Sequence, residues 1–338
     1  MPKAYAGLDV SDQTTAICIL DKTGNPTFES SVPTIPAAIA AALKPYRRSL
    51  ASVALESGTK SVWLYKELTK SKFPMVCLDA RHARAALSAN PNKTDQSDAR
   101  GLATLVARGI YTTAYIKSDE SIRLRTLLLM RKSMQRKALD MRGSVRASLK
   151  ALGAHIEQAD GRFAVLRGED EHFDAALTDV FQTVLRSSQA LLAEVARIDR
   201  LVEQLADDDP ISARLMTVPG VGPITALTFR AAVDDPRRFK SSRVVAASFG
   251  LAPKRLQSGQ MDILKGISRC GDTSTRTALY AAARILMTNS RSTCRLRLWA
   301  LRLAKKKGMR LATTACARKL AVVMHRMWVT GTDFEPQL

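Results

Sequence analysis

The 338-residue sequence contains no apolar run of about 18 residues, the minimum for a membrane-crossing helix. Met1-Pro2-Lys3 leads straight into a strand-like segment, so no secretory signal peptide is read at the start. The five cysteines (Cys18, Cys77, Cys270, Cys294 and Cys316) are scattered, odd in number and without a CxxC pair, and the four histidines do not cluster with them. A disulfide framework and a zinc site are thereby excluded, and reduced thiols in a cytoplasmic protein are expected. No internal repeat or low-complexity tract is present. Acidic side chains are also in short supply: 31 Asp and Glu face 52 Lys and Arg, a net charge of +21. That excess favours a polyanionic partner, because Lys and Arg on phosphates release counterions. An anionic membrane surface is the other candidate.

What is there divides into three stretches. Residues 1–118 carry 15 basic and 9 acidic side chains, residues 119–209 carry 14 and 16, and residues 210–338 carry 23 and 6. The last stretch, at net +17, is the expected nucleic-acid surface, the alternative being a solvated basic face. In the first stretch, Ala4 to Val10, Thr14 to Leu20 and Pro26 to Val32 read as strands joined by short links. Then follow a helix over Ile35 to Tyr46, a strand over Ser52 to Glu56, a helix over Lys60 to Lys70, a strand over Phe73 to Asp79 and a helix over Ala80 to Ser88. After the loop Asn90-Pro91-Asn92, Thr94 can cap a helix running to about Arg108. This pattern predicts a mixed sheet with helices on it. Residues 119–209, poor in Gly and Pro, predict two long helices, a coiled-coil hairpin or a plain helical spacer, around a less regular stretch at 153–174. Residues 210–338 read mostly as helices.

Carboxylates recur at element ends. Asp9 closes a strand in Gly7-Leu8-Asp9-Val10-Ser11, and Glu56 closes another in Ala54-Leu55-Glu56-Ser57-Gly58. Asp95 and Asp98, three apart, share one helix face. Each has an ordinary alternative: Asp9 as a turn residue, Glu56 paired with Arg81 or Arg84, Asp95 as a cap, Asp98 facing the helix dipole. Together, strand Asp, strand Glu and helical DxxD follow the order of an RNase H-like fold of the RuvC type. Four carboxylates from separate elements can hold two Mg²⁺ ions, with Mn²⁺ as a substitute, for phosphodiester chemistry.

The chain resembles the insertion-sequence transposases of the one-hundred-and-ten family, the DEDD transposases. The resemblance runs through GLDVSD, ALESG and NKTDQSDAR between Tyr5 and Arg108, and through TVPGVGPITA, SFGLAP, QSG, GISRCGD and Arg276 between Leu215 and Arg284. It implies a RuvC-like DEDD domain over 1–118, a coiled-coil insert over 119–209 and a basic helical domain over 210–338. It further implies metal ligation by Asp9, Glu56, Asp95 and Asp98, and a catalytic serine, Ser258, in Leu256-Gln257-Ser258-Gly259-Gln260. Donor and target DNA, an element-encoded guide RNA and a homo-oligomer (dimer or tetramer) are the implied partners, with serine and carboxylates able to meet across subunits. The departure from the family pattern lies at Gln257, Gln260 and Met261, where relatives more often carry Ser, Gly and a basic residue.

From the residues alone, Ser258 reads as a loop serine between helices, beside Lys254 and Arg255. A serine hydroxyl needs a base or metal to attack, and no histidine is near it in sequence. Thr217-Val218-Pro219-Gly220-Val221-Gly222-Pro223 resembles the hairpin of a helix-hairpin-helix, in which Gly220 and Gly222 let backbone N–H groups approach a phosphate; an ordinary helix connection is the alternative. Lys254, Arg255, Lys265, Arg269 and Arg276 are the further candidate nucleic-acid contacts. Trp299, inside the basic run from Arg291 to Arg310, is expected in the core. Two rival readings are a hydrolytic RuvC-like junction resolvase and a non-catalytic helix-hairpin-helix DNA-binding protein. A cytoplasmic, nucleoid-associated location is expected.

Overall fold

Apolar runs at Ala4–Val10, Thr14–Leu20 and Leu50–Glu56 form strands that are buried over most of their length, and Pro26–Pro33 forms a more polar strand at the edge of the same sheet. A computed structural model describes residues 3–88, 94–153, 156–159, 162–165, 175–259 and 261–337. The Asn90-Pro91-Asn92 loop, Gln260 and most of 153–174 lie outside the described residues. The chain divides into two compact units, Met1–Lys117 and Ser118–Leu338.

The first unit opens with β1 (Ala4–Val10), β2 (Thr14–Leu20) and β3 (Pro26–Pro33), an antiparallel meander. Helix α1 (Pro36–Leu43) leads to β4 (Leu50–Glu56), and α2 (Ser61–Lys70) leads to β5 (Met75–Leu78). Helices α3 (Ala80–Leu87) and α4 (Asp95–Ala107) complete it. The five strands lie in the order β3-β2-β1-β4-β5, with β4 parallel to both β1 and β5. One face packs Ala6, Leu8, Ile17, Ile19, Val53 and Leu55 against Ile39, Leu43, Leu64 and Leu68 of α1 and α2. The other face receives α4 through small residues: Ala16 and Cys18 meet Ala99 and Ala103, and Ala54 meets Leu102 and Val106. Gly7 is required for that approach. A Cβ there would lie 2.0 Å from the Ala99 carbonyl oxygen and 2.5 Å from the Ala103 nitrogen.

The second unit begins with α5 (Asp119–Ala151), of 33 residues and about 50 Å at 1.5 Å per residue. Between it and α6 (Ala175–Asp208) lie β6 (Ile156–Ala159) and β7 (Arg162–Val165), a short antiparallel pair within the stretch expected to be less regular. Helices α5 and α6 run antiparallel. Val145 and Leu149 pack on Phe181 and Leu185 near one end, and Leu124, Leu127 and Leu128 pack with Val202 and Ala206 near the other. Midway, Arg131 pairs with Asp199. Ser118 and Ser121 tie the start of α5 to Asp234, donating to its Oδ1 at 2.5 and 2.6 Å.

The remaining elements are α7 (Pro210–Met216), α8 (Pro223–Val233), α9 (Ser242–Ser248), β8 (Pro253–Ser258), β9 (Met261–Ile267), α10 (Thr273–Thr288), α11 (Arg295–Lys307) and α12 (Met309–Thr330). Their helices bury Phe229, Val245, Phe249, Leu279, Leu286, Leu320 and Met324 in one core, with the Phe229 and Phe249 rings edge to face at 5.7 Å. Trp299 packs against this core, as expected, although it lies within a basic run. The stretch is mostly helical, as expected, with one element the sequence did not suggest: β8 and β9 form an antiparallel hairpin. Among the described residues no helix is long and apolar enough to cross a membrane. All five cysteines are free thiols. Burial pushes Cys18 and Cys77 up to about 11 and Cys316 to about 12, so these thiols stay protonated at neutral pH.

Candidate functional site

In the first unit, register and alternation decide where the carboxylates go. Leu8 of β1 pairs with Leu55 of the parallel β4, so Asp9 and Glu56, the next residues, stand side by side on neighbouring strands. Leu8 and Leu55 point into the core beneath α1 and α2. Asp9 and Glu56 therefore point to the opposite face, the face covered by α4. Helix α4 runs against the direction of β1. Tyr5 packs with Leu102 and Val106, and Gly7 packs on Ala99 and Ala103. One further step along β1 brings Asp9 beneath the first turn of α4, which carries Asp95 and Asp98. The Gln96 side-chain amide fixes that turn by donating to the Ile17 carbonyl at 3.1 Å, Ile17 being the partner of Leu8 on β2.

The start of α4 is set by a reciprocal cap. The Ser97 N–H donates to Thr94 Oγ1 at 3.1 Å, and the Thr94 N–H donates to Ser97 Oγ at 3.0 Å. This cap leaves both aspartates of the DxxD out of the capping role, Asp95 exposed and Asp98 half-buried. Asp98 also lines a cleft of about 690 Å³ together with Arg100 and Arg108. Among the described residues no three His, Cys, Asp or Glu side chains stand close enough together to hold a metal ion. The backbone brings Asp9, Glu56 and the α4 turn to one end of one sheet face without closing them into a cage. An all-carboxylate donor set of this kind still fits Mg²⁺, which uses one or two carboxylates and keeps several waters.

Two further carboxylates sit at this sheet end. Asp79 follows β5 and caps α3, accepting from the Arg81 and His82 N–H groups at 3.0 and 3.3 Å. Partial burial pushes its carboxyl up, but the His82 and Arg81 hydrogen bonds outweigh burial and hold it below the usual range. Its signal was legible, an Asp directly before a helix. Asp12, in the β1–β2 turn, is paired with Lys60 at 2.8 Å, and this pairing lowers its carboxyl pKa. Lys60 also donates to the Asp12 carbonyl, which clasps the loops after β1 and β4 together.

The second unit holds the serine in a different setting. Ser258 is the last residue of β8, paired with Met261 of β9, and Gly259 after it has φ 54°. The expectation of a loop between helices is replaced by a hairpin tip. Every residue of β8 is exposed. The base of the hairpin is anchored by close backbone crossing. A Cβ on Gly271 would lie 2.0 Å from the Ser248 carbonyl oxygen, and one on Gly250 2.5 Å from that of Cys270. Both glycines also have positive φ, 104° and 69°. The SFGLAP and GISRCGD segments thus fit together as a packed joint, from which the hairpin projects.

The candidate nucleic-acid contacts separate into engaged and open side chains. Arg255 holds Asp262 across the hairpin in a two-pronged pair at 2.6 and 2.7 Å. Arg276 is half-buried and donates to the Phe249 carbonyl at 2.8 Å and to Thr273 Oγ1 at 3.0 Å. Lys254, Lys265 and Arg269 are exposed. In the turn between α7 and α8, Gly220 (φ 89°) faces α10, where a Cβ would lie 2.6 Å from the Ala282 carbonyl oxygen. Gly222, at the start of α8, has open space around it.

Comparison with known proteins bears on both units. Residues 6–153 match the DEDD transposase model of the IS110 group, described as Transposase, and residues 212–297 match the model of the Transposase IS116/IS110/IS902 family. The chain belongs to the IS110 family of insertion-sequence transposases. It is 24% identical over 330 residues to the transposase for insertion sequence element IS1111A of Coxiella burnetii, covering 94% of this chain and 87% of that protein. It is 23% identical to the transposase for insertion sequence element IS1328 of Yersinia enterocolitica, over 83% of this chain and 85% of the relative. A probable family 20 transposase of Pseudomonas aeruginosa is 27% identical over 72% of this chain and 75% of its own length. The two matched segments of the transposase contain the carboxylate end of the sheet and the serine hairpin respectively.

Proposed function

We propose that this transposase is a Mg²⁺-dependent DNA recombinase that cuts and rejoins strands through a phosphoserine link on Ser258, guided by an RNA of its element. The observation that carries the reading is the β1–β4 register, which sets Asp9 beside Glu56 beneath the α4 turn bearing Asp95 and Asp98. The strand order β3-β2-β1-β4-β5, with its meander followed by parallel strands, supports an RNase H-like fold of the RuvC type. The α7–turn–α8 element, with Gly222 open at the start of α8, supports a helix-hairpin-helix role in gripping a phosphate backbone.

Asp9, Glu56, Asp95 and Asp98 are the residues that would hold Mg²⁺ or Mn²⁺. Bound there, the ion supplies Lewis acidity to a scissile phosphate and neutralises charge that develops on it. Ser258 Oγ attacks the phosphorus. The Oγ–P bond forms as the bond from phosphorus to the leaving ribose oxygen breaks. The serine proton passes to a base, for which the carboxylates are the available groups, and the leaving oxygen takes a proton from solvent. Attack by an incoming ribose hydroxyl then reverses these changes and frees Ser258, so bond energy is kept for rejoining. Serine and carboxylates belong to different units, and a homo-oligomer lets those of different subunits work together. Donor DNA, target DNA and guide RNA are the partners that the basic surface fits.

The test uses purified protein, a donor plasmid carrying the element, the RNA transcribed from the element and Mg²⁺. Asp9→Ala and Asp98→Ala should each cut cleavage by roughly a thousandfold, the several kcal/mol that metal assistance supplies. Their melting temperatures should stay close to that of the wild type, because each change trims one side chain at the end of a strand or helix and leaves the buried core untouched. Wild-type cleavage by either variant would overturn the metal assignment.

A further inference from the structure

Residues 273–332 contain 13 Lys and Arg and no Asp or Glu. They form α10, α11 and α12, and among the described residues none of these cations pairs with a carboxylate. Those that are engaged use neutral groups. Arg297 donates to the Leu286 carbonyl, Arg295 to the Gln337 carbonyl, and Lys319 lies 3.7 Å from the centre of the Trp299 ring. The ring is thus covered by a lysine of its own unit and is unsuited to stacking on a base.

The charge is most concentrated at the corner between α11 and α12. Helix α11 ends in Lys305-Lys306-Lys307, the chain turns at Gly308 with φ 81°, and α12 starts at once with Met309-Arg310-Leu311. All four cations of this corner are exposed. So are two large apolar side chains among them, Met309 at 46% and Leu311 at 54%. The buried face of α12 is occupied in the core by Ala312, Cys316, Leu320 and Met324, so these two side chains belong to no internal contact surface. Exposed apolar groups framed only by cations suit a ligand with an anionic surface and an apolar interior within a side chain's reach.

We infer that this corner docks on duplex DNA, with Lys305, Lys306, Lys307 and Arg310 on phosphates and Met309 and Leu311 pressed into the minor groove between base steps. The inference rests on the DNA-handling reading above and adds a place and a mode to it. Apolar wedges beside Lys or Arg unstack a step and kink the duplex by roughly 20–90°. A membrane surface fits less well, because interfacial helices present a long apolar face, and here there are two residues. A-form RNA fits less well too, since its minor groove is wide and shallow.

The experiment uses the full chain in EDTA, so that no cleavage enters, and a 30-base-pair duplex labelled at both ends for energy transfer. Wild-type protein should bind and shorten the end-to-end distance. K305Q/K306Q/K307Q should make the log–log dependence of affinity on salt shallower by about 2 to 3. M309A/L311A should keep the wild-type salt slope and lose the bend. Unchanged melting temperatures check that both variants fold, as exposed positions allow. The inference is overturned if the lysine variant keeps the wild-type slope, or if the apolar variant bends DNA as the wild type does. It is also overturned if the lysines matter only for A-form duplex RNA or for phosphatidylserine vesicles. If wild-type protein binds no duplex at all, the DNA-handling reading falls with it; if it binds and the variants match it, only the corner assignment falls.

Discussion

The carboxylates and the serine sit in opposite kinds of structure. Asp9 and Glu56 end strands whose preceding residues, Leu8 and Leu55, are wholly buried, and α4 is pressed so close to β1 that only glycine fits at position 7. Ser258 stands at the tip of a two-stranded ribbon whose first strand is exposed along its whole length. Two paired strands without a third, or a helix to pack on, are marginal on their own in water. On the proposed mechanism, one half of the chemistry would be positioned by the core and the other by whatever the hairpin meets. A metal-binding group must be arrayed to within fractions of an ångström before substrate arrives. A nucleophile that becomes covalently attached to DNA gains from a mount that can follow the strand.

Breaking the rigid side should have the largest effect. Gly7→Val forces a Cβ to within 2.0 Å of the Ala99 carbonyl, a backbone atom that cannot move aside. The expected cost is about 3 kcal/mol or more, from overpacking and a displaced α4. It should appear as loss of the first unit's unfolding transition in urea or as its shift to much lower denaturant. Gly58→Val is the control: it follows Glu56 by two residues, has open space around it and should change stability by about 0.5 kcal/mol or less. Equal costs at the two positions would mean that α4 is not clamped on β1.

Changing the hairpin should have the smallest effect on stability. Leu256 and Ile263 pair across it and are 48% and 43% exposed. Replacing both by Ser removes little buried surface, so the melting curve should move by about 1 kcal/mol or less. Hydrogen exchange at the hairpin amides should be fast in wild type and variant alike. A loss of several kcal/mol would show that the ribbon is packed, against the contrast drawn above.

The same contrast explains what was legible in the sequence. Four of the five strands of the first unit follow apolar runs set by burial, the edge strand β3 alternates between exposed and half-buried residues, and the predicted spans agree with those observed to within about two residues. Thr94 as the cap of α4 was readable from its position before Asp95. The β1–β4 register, which makes neighbours of residues 9 and 56, was not, because pairing of parallel strands depends on the whole sheet. The β8–β9 hairpin was missed for a chemical reason. Lys254, Arg255, Gln257 and Ser258 give it polar side chains on both faces, so the period-2 alternation that marks a half-buried strand is absent. Gly250 and Gly271 were visible as motif glycines, but their use in a backbone crossing required the fold.

The covalent role of Ser258 is the central claim and has one direct test. A nicked suicide substrate is incubated with wild-type protein, the element's RNA and Mg²⁺, the mixture is denatured, and DNA-linked protein is sought. The account predicts an adduct that maps to the peptide containing Ser258 and is absent from Ser258→Ala, which should still bind DNA because a neutral hydroxyl adds little to a surface dominated by charge. Strand cleavage without any adduct, an adduct on another residue, or full recombination by Ser258→Ala would contradict it and leave the carboxylate site as that of a hydrolytic nuclease.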